Sequence, residues 1–287
     1  MSKAAGSDKL SAMKKFTLLR TIGNGATGKL SDYLASETGL SRVRIKDAMS
    51  KGAIWVGKER GGMKRIRKAT AALRGGMKIE FHYDEKLLAL TPPQARCISD
   101  RKEYSVWYKP AGLMAQGTMY GDHCSLMRQA ELFFESKREI FPVHRLDREA
   151  SGLMLVAHTK KAASLLSGLF RNNLVIKKYS VEALGDFAES GPKGIIDLPL
   201  DGKISVTEYK VLSYDKATDI SSVDVAIRTG RLHQIRRHFD MIGHPVLGDP
   251  KYGKGNKNKE GMKLTAYSLK FKCPVLKKEI EYDSPNK

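Results

Sequence analysis

The sequence predicts a mixed α+β protein in two parts, and three observations carry that reading. From residue 104 onward, short strand-like runs alternate with segments of helical period. Ahead of them lies a shorter third of the chain with its own helix pair and strands, denser in positive charge. Between the two, Thr91-Pro92-Pro93-Gln94-Ala95-Arg96 has the paired prolines of a linker, because Pro fixes its own backbone and biases its predecessor towards an extended one. At 287 residues the chain is long enough for one full domain plus a smaller one.

Taken in order, residues 1–28 contain Ser, Gly and Lys with one short apolar stretch, Phe16-Thr17-Leu18-Leu19, and read as a flexible tail. A small domain is expected over 29–90. Its first helix starts near Lys29, where Leu30, Tyr33 and Leu34 fall on one face. Its second runs over Ser41–Met49, with Ser41 as N-cap, Val43, Ile45, Ala48 and Met49 as apolar positions and Gly52 as the stop. Strands at 53–56 and 78–82 flank a loop, 58–72, rich in glycine, Lys and Arg. After a linker over 91–103, the larger domain spans 104–287, with strands near 104–108, 153–157, 179–183 and 223–227 and helices near 123–135, 160–172 and 232–242. In the last helix Ile235, Phe239 and Ile242 recur at near-helical spacing and leave Arg236 and Arg237 on other faces.

The charge is strongly positive, +20 with a pI near 9.8, which implies a polyanionic partner. Residues 1–86 hold 19 Lys and Arg against 8 Asp and Glu. A further basic loop, Lys251 to Lys259, is polar enough to graze RNA. Three widely spaced cysteines, Cys97, Cys124 and Cys273, form no Cys-x-x-Cys pair, so neither a disulfide framework nor a zinc site is expected. With no apolar run approaching a membrane span and no secretory core at the start, the sequence reads as soluble and cytoplasmic.

The most informative stretch is His144-Arg145-Leu146-Asp147-Arg148-Glu149-Ala150-Ser151-Gly152-Leu153-Met154-Leu155-Val156, a charged cluster running into a small-residue turn and an apolar strand. Arg145 and Arg148 keep Asp147 ionised. An ionised carboxylate serves as nucleophile, general base or metal ligand, or simply forms a loop ion pair; no second ligand cluster supports the metal role. A protein-kinase catalytic loop also holds His-Arg-Asp, but here Leu146 intervenes, residue 152 is Gly, and no Asp-Phe-Gly occurs.

The arrangement resembles motif II of the RluA-type RNA pseudouridine synthases, His-Arg-Leu-Asp followed by two residues, Thr, Ser, Gly and an apolar strand, with Ala150 in place of Thr. Three more blocks agree in order: Tyr104 to Leu113 with its Lys-Pro-Ala-Gly turn, Lys177-Lys178-Tyr179, and Gly230-Arg231-Leu232-His233-Gln234-Ile235-Arg236 with its tail Gly248-Asp249-Pro250-Lys251-Tyr252-Gly253. The resemblance implies a largely antiparallel twisted sheet with a central cleft, and isomerisation of uridine in RNA without a metal or any other cofactor. Asp147 matches the catalytic aspartate, which acts at the target ribose; whether by direct attack or through a glycal stays open. Tyr179 matches the tyrosine packed against the uracil ring, Arg231 the basic partner of the aspartate, and Leu269 an apolar residue of the uracil pocket. Arg145 would serve as a wedge or phosphate contact while the nucleotide turns outward. Leu232 and Thr265 stand where Thr and His are usual, and His144, His233 and His244 match structural positions.

The N-terminal third resembles an S4 RNA-binding domain, departing from it at Gly57-Lys58 and in its very basic loop. Candidate RNA contacts there are Ser41, Arg42, Arg44, Lys46, Lys51, Lys58, Arg60, Lys64, Arg65, Arg67 and Lys68, cations that position RNA without reading its sequence. This S4-like part favours ribosomal RNA over transfer RNA. A non-catalytic RNA-binding or ribosome-assembly protein would lack Asp147, and a glycosylase would release free uracil instead of rejoining it. A monomer without membrane contact is the expected state.

Overall fold

The computed structural model describes residues 14–58 and 60–285, which form two compact units. The first comprises residues up to Thr91 together with Gly117–Cys124. Its elements are β1 (Lys15–Thr21), α1 (Leu30–Thr38), α2 (Arg42–Ser50), β2 (Ile54–Gly57), β3 (Lys64–Arg65), β4 (Lys78–Asp84) and α3 (Glu85–Leu88). The strands form an antiparallel sheet in the order β1-β4-β2-β3. Leu30, Leu34, Ile45, Ala48, Met49, Ile54 and Phe81 are fully buried in its core. Ser41 caps α2, its hydroxyl accepting from the Arg44 amide, and Gly52 follows the helix at φ 80°. Val43 departs from expectation: it is 77% exposed, because Ile45, Ala48 and Met49 define the buried stripe and a residue two positions before Ile45 points the other way.

Two boundaries also differ. Residues 1–13 of the expected tail lie outside the described residues, but 15–21 are a strand paired with β4 from Lys15↔Asp84 to Thr21↔Lys78. Phe16 and Leu18 alternate inward, and Phe16 stacks on Tyr83 at 5.2 Å, so this short run has a face to bury. The segment 117–124, expected in the larger domain, belongs to the first unit: Asp122 pairs with Arg65 and Arg67, and the Trp55 indole donates to the Met119 carbonyl at 3.1 Å.

The second unit holds β5 (Arg96–Asp100), β6 (Tyr104–Lys109), α4 (Leu126–Phe133), β7 (Phe141–Pro142), β8 (Ser151–Ala157), α5 (Lys160–Arg171), β9 (Ile176–Leu184), β10 (Lys193–Asp197), β11 (Val206–Asp215), β12 (Ile220–Ile227), α6 (Gln234–Met241), β13 (Leu264–Cys273) and β14 (Lys278–Asp283). The expected linker is thus partly strand, because β5 pairs with β6 and packs Cys97 and Ile98 against the core. One mixed sheet runs β10-β11-β12-β9-β13-β8-β6-β5, with β14 on β13 and β7 on β8. Among the described strands only β13 and β8 pair in parallel, so the sheet is largely antiparallel as the resemblance implied. That parallel junction lies just after the Asp147 loop. Gly152 there has φ 123°, and a Cβ would collide with the Ala266 backbone, so only glycine lets the two strands meet.

Candidate active site

A cavity of about 630 Å³ opens in the second unit, bounded by the 143–147 loop, the end of α5, β9 and the start of α6. Asp147, Arg145, Tyr179 and Arg231 all line it. Among the described residues its walls carry five Arg or Lys and a single carboxylate, Asp147.

Buried polar contacts hold the Asp147 loop. Lys109, fully buried at the end of β6, donates through Nζ to the carbonyls of Ala150 (2.6 Å), Leu113 (2.8 Å), Pro110 (3.1 Å) and Arg148 (3.3 Å). Two of these carbonyls, those of Arg148 and Ala150, follow closely on Asp147, so the Lys-Pro turn sets the path of the loop. Burial draws the Lys109 pKa down to about 7, while Asp147 and Glu149 oppose that shift.

His144 supplies a second anchor. Its Nε2 accepts from the Leu155 amide at 3.0 Å and its ring stacks on Phe170 at 4.1 Å. Burial, followed by the Lys177 charge, pushes its pKa down to about 3. The folded protein keeps this imidazole neutral while the unfolded chain protonates it below about pH 6.5. Its contribution to stability is therefore present above pH 6.5 and lost as pH falls towards 3, by roughly 1.4 kcal/mol per unit at most. Urea midpoints measured from pH 7 to pH 5 should fall more steeply for the wild type than for His144→Gln. Equal slopes would refute this anchor.

Asp147 Oδ2 receives Arg236 Nη1 at 3.1 Å. Arg236, 2% exposed on the first turn of α6, forks its other nitrogens onto Asp249, Nε to Oδ2 at 2.6 Å and Nη2 to Oδ1 at 2.8 Å. Asp249 also accepts from the amides of Lys251 and Tyr252, and the Tyr252 ring lies 5.3 Å from the guanidinium carbon. Burial alone would raise Asp249, but its bonds to Arg236 and the two amides outweigh that and hold it ionised. For Arg236 burial likewise opposes the charge, and the bonds to Asp249 and Asp147 overcome it. A fixed, charged arginine is thus aimed at Asp147.

This corrects the assignment of Arg231. Its Nε donates to the Ile204 carbonyl at 3.1 Å, and the partner of the aspartate is Arg236. Gln234 explains the choice: its Oε1 accepts from the Arg231 amide and Thr229, its Nε2 donates to Val206 and Thr207, and this lock starts the helix so that Arg236 points inward. The sequence signal was present, since Arg236 lay off the apolar face of its helix, but nothing local said which arginine would be buried. Leu269 is also corrected. It is 1% exposed in the core cluster with Leu155, Leu166 and Val175, beneath α5, and Leu264 lines the cavity instead.

Tyr179 is 8% exposed, and burial, reinforced by the Asp147 charge, raises its hydroxyl so that it stays protonated. It offers a ring face and a neutral donor. Thr265, where His is usual, closes its hydroxyl onto Ser151 at 2.8 Å. Three residues with no role in the site expected from the sequence also line the cavity: Arg236, Lys177, whose Nζ donates to the Arg228 carbonyl, and His233. No metal-binding group of His, Cys, Asp and Glu occurs among the described residues.

In the first unit the candidate RNA contacts divide. Arg65 and Arg67 are taken up by Asp122 and nearby carbonyls, because each is half-buried against the 117–124 segment. Lys51 pairs with Asp47 and the Leu88 carbonyl, Arg42 with Asp32, and Arg44 with Glu85. Lys46, Lys64 and Lys68 are exposed, with no acidic partner among the described residues.

The RNA pseudouridylate synthase family matches residues 103–241. A protein described as an uncharacterized RNA pseudouridine synthase of Mycoplasma genitalium is 30% identical over 90% of this chain and 89% of its own. A ribosomal large subunit pseudouridine synthase C of Rickettsia conorii is 33% identical over 70% of this chain and 75% of its own. A tRNA pseudouridine synthase C of Haemophilus ducreyi is 32% identical over 53% of this chain and 71% of its own.

Proposed function

We propose that this chain, which belongs to the RNA pseudouridylate synthase family, isomerises uridine in structured ribosomal RNA with Asp147 as the residue that acts at the target ribose. One observation carries the role of Asp147: it is the single carboxylate on the wall of the cavity, and a buried arginine that is itself locked by Asp249 is aimed at it. A carboxylate so held is fixed in direction before substrate arrives. The base detaches, turns and rejoins through carbon, so the N1–C1′ bond is exchanged for a C5–C1′ bond, the C5 proton leaves and N1 takes up a proton from solvent.

The walls suit that sequence of events. Tyr179 and Leu264 supply surfaces for the uracil ring, and Arg145, exposed at the mouth and free of ion pairs among the described residues, meets the phosphates of the extruded nucleotide. The first unit acts as an S4-like RNA-binding domain through Lys46, Lys64 and Lys68, with Arg42 exchanging its exposed partner Asp32 for phosphate. Ser41 caps the helix that carries Arg42 and Lys46.

Ribosomal RNA is favoured by that basic unit and by the Rickettsia relative, and the Haemophilus relative makes transfer RNA the comparison to run. Transcripts of large-subunit ribosomal RNA and of tRNA, each labelled with tritium at uridine C5, should be incubated with purified protein. Tritium release from the ribosomal transcript at least about 10-fold faster than from tRNA is expected. Release from tRNA alone would reverse the substrate assignment.

A further inference from the structure

His233 lines this cavity beside Asp147 and has no part in the reaction described above. It lies at the N-terminus of α6 with φ 53° and ψ 33°, a left-handed conformation that a non-glycine side chain adopts at a cost. The cost is not repaid by capping, since its side chain makes no cap hydrogen bond. Instead the ring is carried into the cavity, where Nδ1 shares a 3.1 Å hydrogen bond with the Tyr252 hydroxyl and Nε2 faces Asp147 Oδ1 at 3.8 Å. Tyr252 meets the imidazole edge to face at 5.7 Å, so the ring is fixed in direction as well as in position.

That 3.8 Å gap is too long for a direct hydrogen bond. It suits a third polar atom placed to one side, within about 2.8 Å of both. Such an atom would have to accept from the imidazole and donate to the carboxylate, which a hydroxyl does and a carbonyl or an ammonium does not. The tautomer follows from charge: a lone pair on Nε2 would face the carboxylate, whereas an Nε2 proton is attracted to it, so the Tyr252 hydroxyl donates to Nδ1. Burial first, with Arg236 and Lys251 adding to it against Asp147 and Asp249, lowers the His233 pKa and keeps this neutral form in place.

We propose that His233 and Asp147 together bind the 2′-hydroxyl of the target ribose, so that this histidine, oriented by Tyr252, makes the site selective for RNA over DNA at the reacting nucleotide. The proposal rests on the reading that Asp147 acts at that ribose. The 2′-hydroxyl is the group by which a protein tells the two nucleic acids apart. Here it would also seat C1′ against the carboxylate.

The test is a two-by-two comparison of single-turnover rates. The substrates are a synthetic RNA carrying the mapped target uridine and the same RNA with 2′-deoxyuridine at that position alone. The proteins are wild type and His233→Gly, because glycine accepts the left-handed backbone without strain and should melt no lower than wild type. If that variant fails to fold, His233→Asn replaces it, since Asn also tolerates the conformation. The deoxy substitution is expected to slow the wild type roughly 10- to 100-fold, since it removes a charge-assisted bond to Asp147 and a neutral one from His233. It should slow His233→Gly about 3- to 10-fold less, because the bond to Asp147 remains, and Tyr252→Phe should fall between them. An equal slowing in wild type and His233→Gly would overturn the proposal. Wild type that forms no pseudouridine on the all-ribose RNA would instead overturn the reading beneath it.

Discussion

Asp147→Asn, which keeps the shape of the side chain and removes its charge, is expected to lower pseudouridine formation by at least about 10⁴-fold. The amide still fits beside Arg236, so thermal stability should change little and RNA affinity should hold or rise. That separation follows from the structure: Asp147 is 17% exposed at the cavity wall, and Arg236 keeps its two-nitrogen fork on Asp249 whether or not Asp147 carries charge. Tritium release from a C5-labelled transcript measures the activity, and a filter-binding titration measures the affinity. An Asn variant within 10-fold of wild type would remove Asp147 from the reaction.

Arg236→Ala is expected to damage both stability and activity, and the two losses can be taken apart. Removing the guanidinium leaves Asp249 fully buried and charged without its partner, a defect that costs about 3–5 kcal/mol. A second change, Asp249→Asn, neutralises the orphaned carboxylate and keeps an oxygen for the Lys251 and Tyr252 amides. The double variant Arg236→Met/Asp249→Asn should therefore regain much of the stability, as read by urea midpoint. Its activity should stay lost, because nothing then aims Asp147. Recovery of activity along with stability would mean that Arg236 matters only for folding. Arg231→Ala, by contrast, should leave stability near wild type, since that side chain gives up one carbonyl contact.

The contrast between these two arginines shows where sequence is informative. The strands at 176–184 and 220–227 and the helices were legible because burial on one face writes a period into the chain, and those at 104–109 and 151–157, buried on both faces, because they are short, nearly continuous apolar runs. The Asp147 loop was legible because its charges are neighbours in sequence. Arg236 was not, because its partners stand 89 and 13 residues away and the deciding contacts are those of Gln234 with a different strand. Leu269 failed for a similar reason: an apolar residue on β13 reads the same whether it faces a cavity or the underside of α5. In the N-terminal third, β1 was hidden because its only signal is the alternation of Phe16 and Leu18, and its partner β4 lies some sixty residues on. Arg65 and Arg67 looked like free cations because Asp122, which engages them, comes from a distant stretch of chain.

His233 illustrates the opposite case. The sequence places it in the Gly230 to Arg236 block but gives it a structural role, and only the left-handed backbone and the 3.8 Å approach to Asp147 mark it out as part of the site. Strain of this kind is retained where the side chain it positions is needed.

The central claim is that Asp147 makes pseudouridine in ribosomal RNA. The most direct test maps pseudouridine by carbodiimide-dependent primer extension across rRNA and tRNA from cells with wild-type protein, with Asp147→Ala and with no protein. One or a few stops in ribosomal RNA, present with wild type and missing in both other strains, is the result expected here. Stops that persist in the Asp147→Ala strain but vanish without the protein would contradict it.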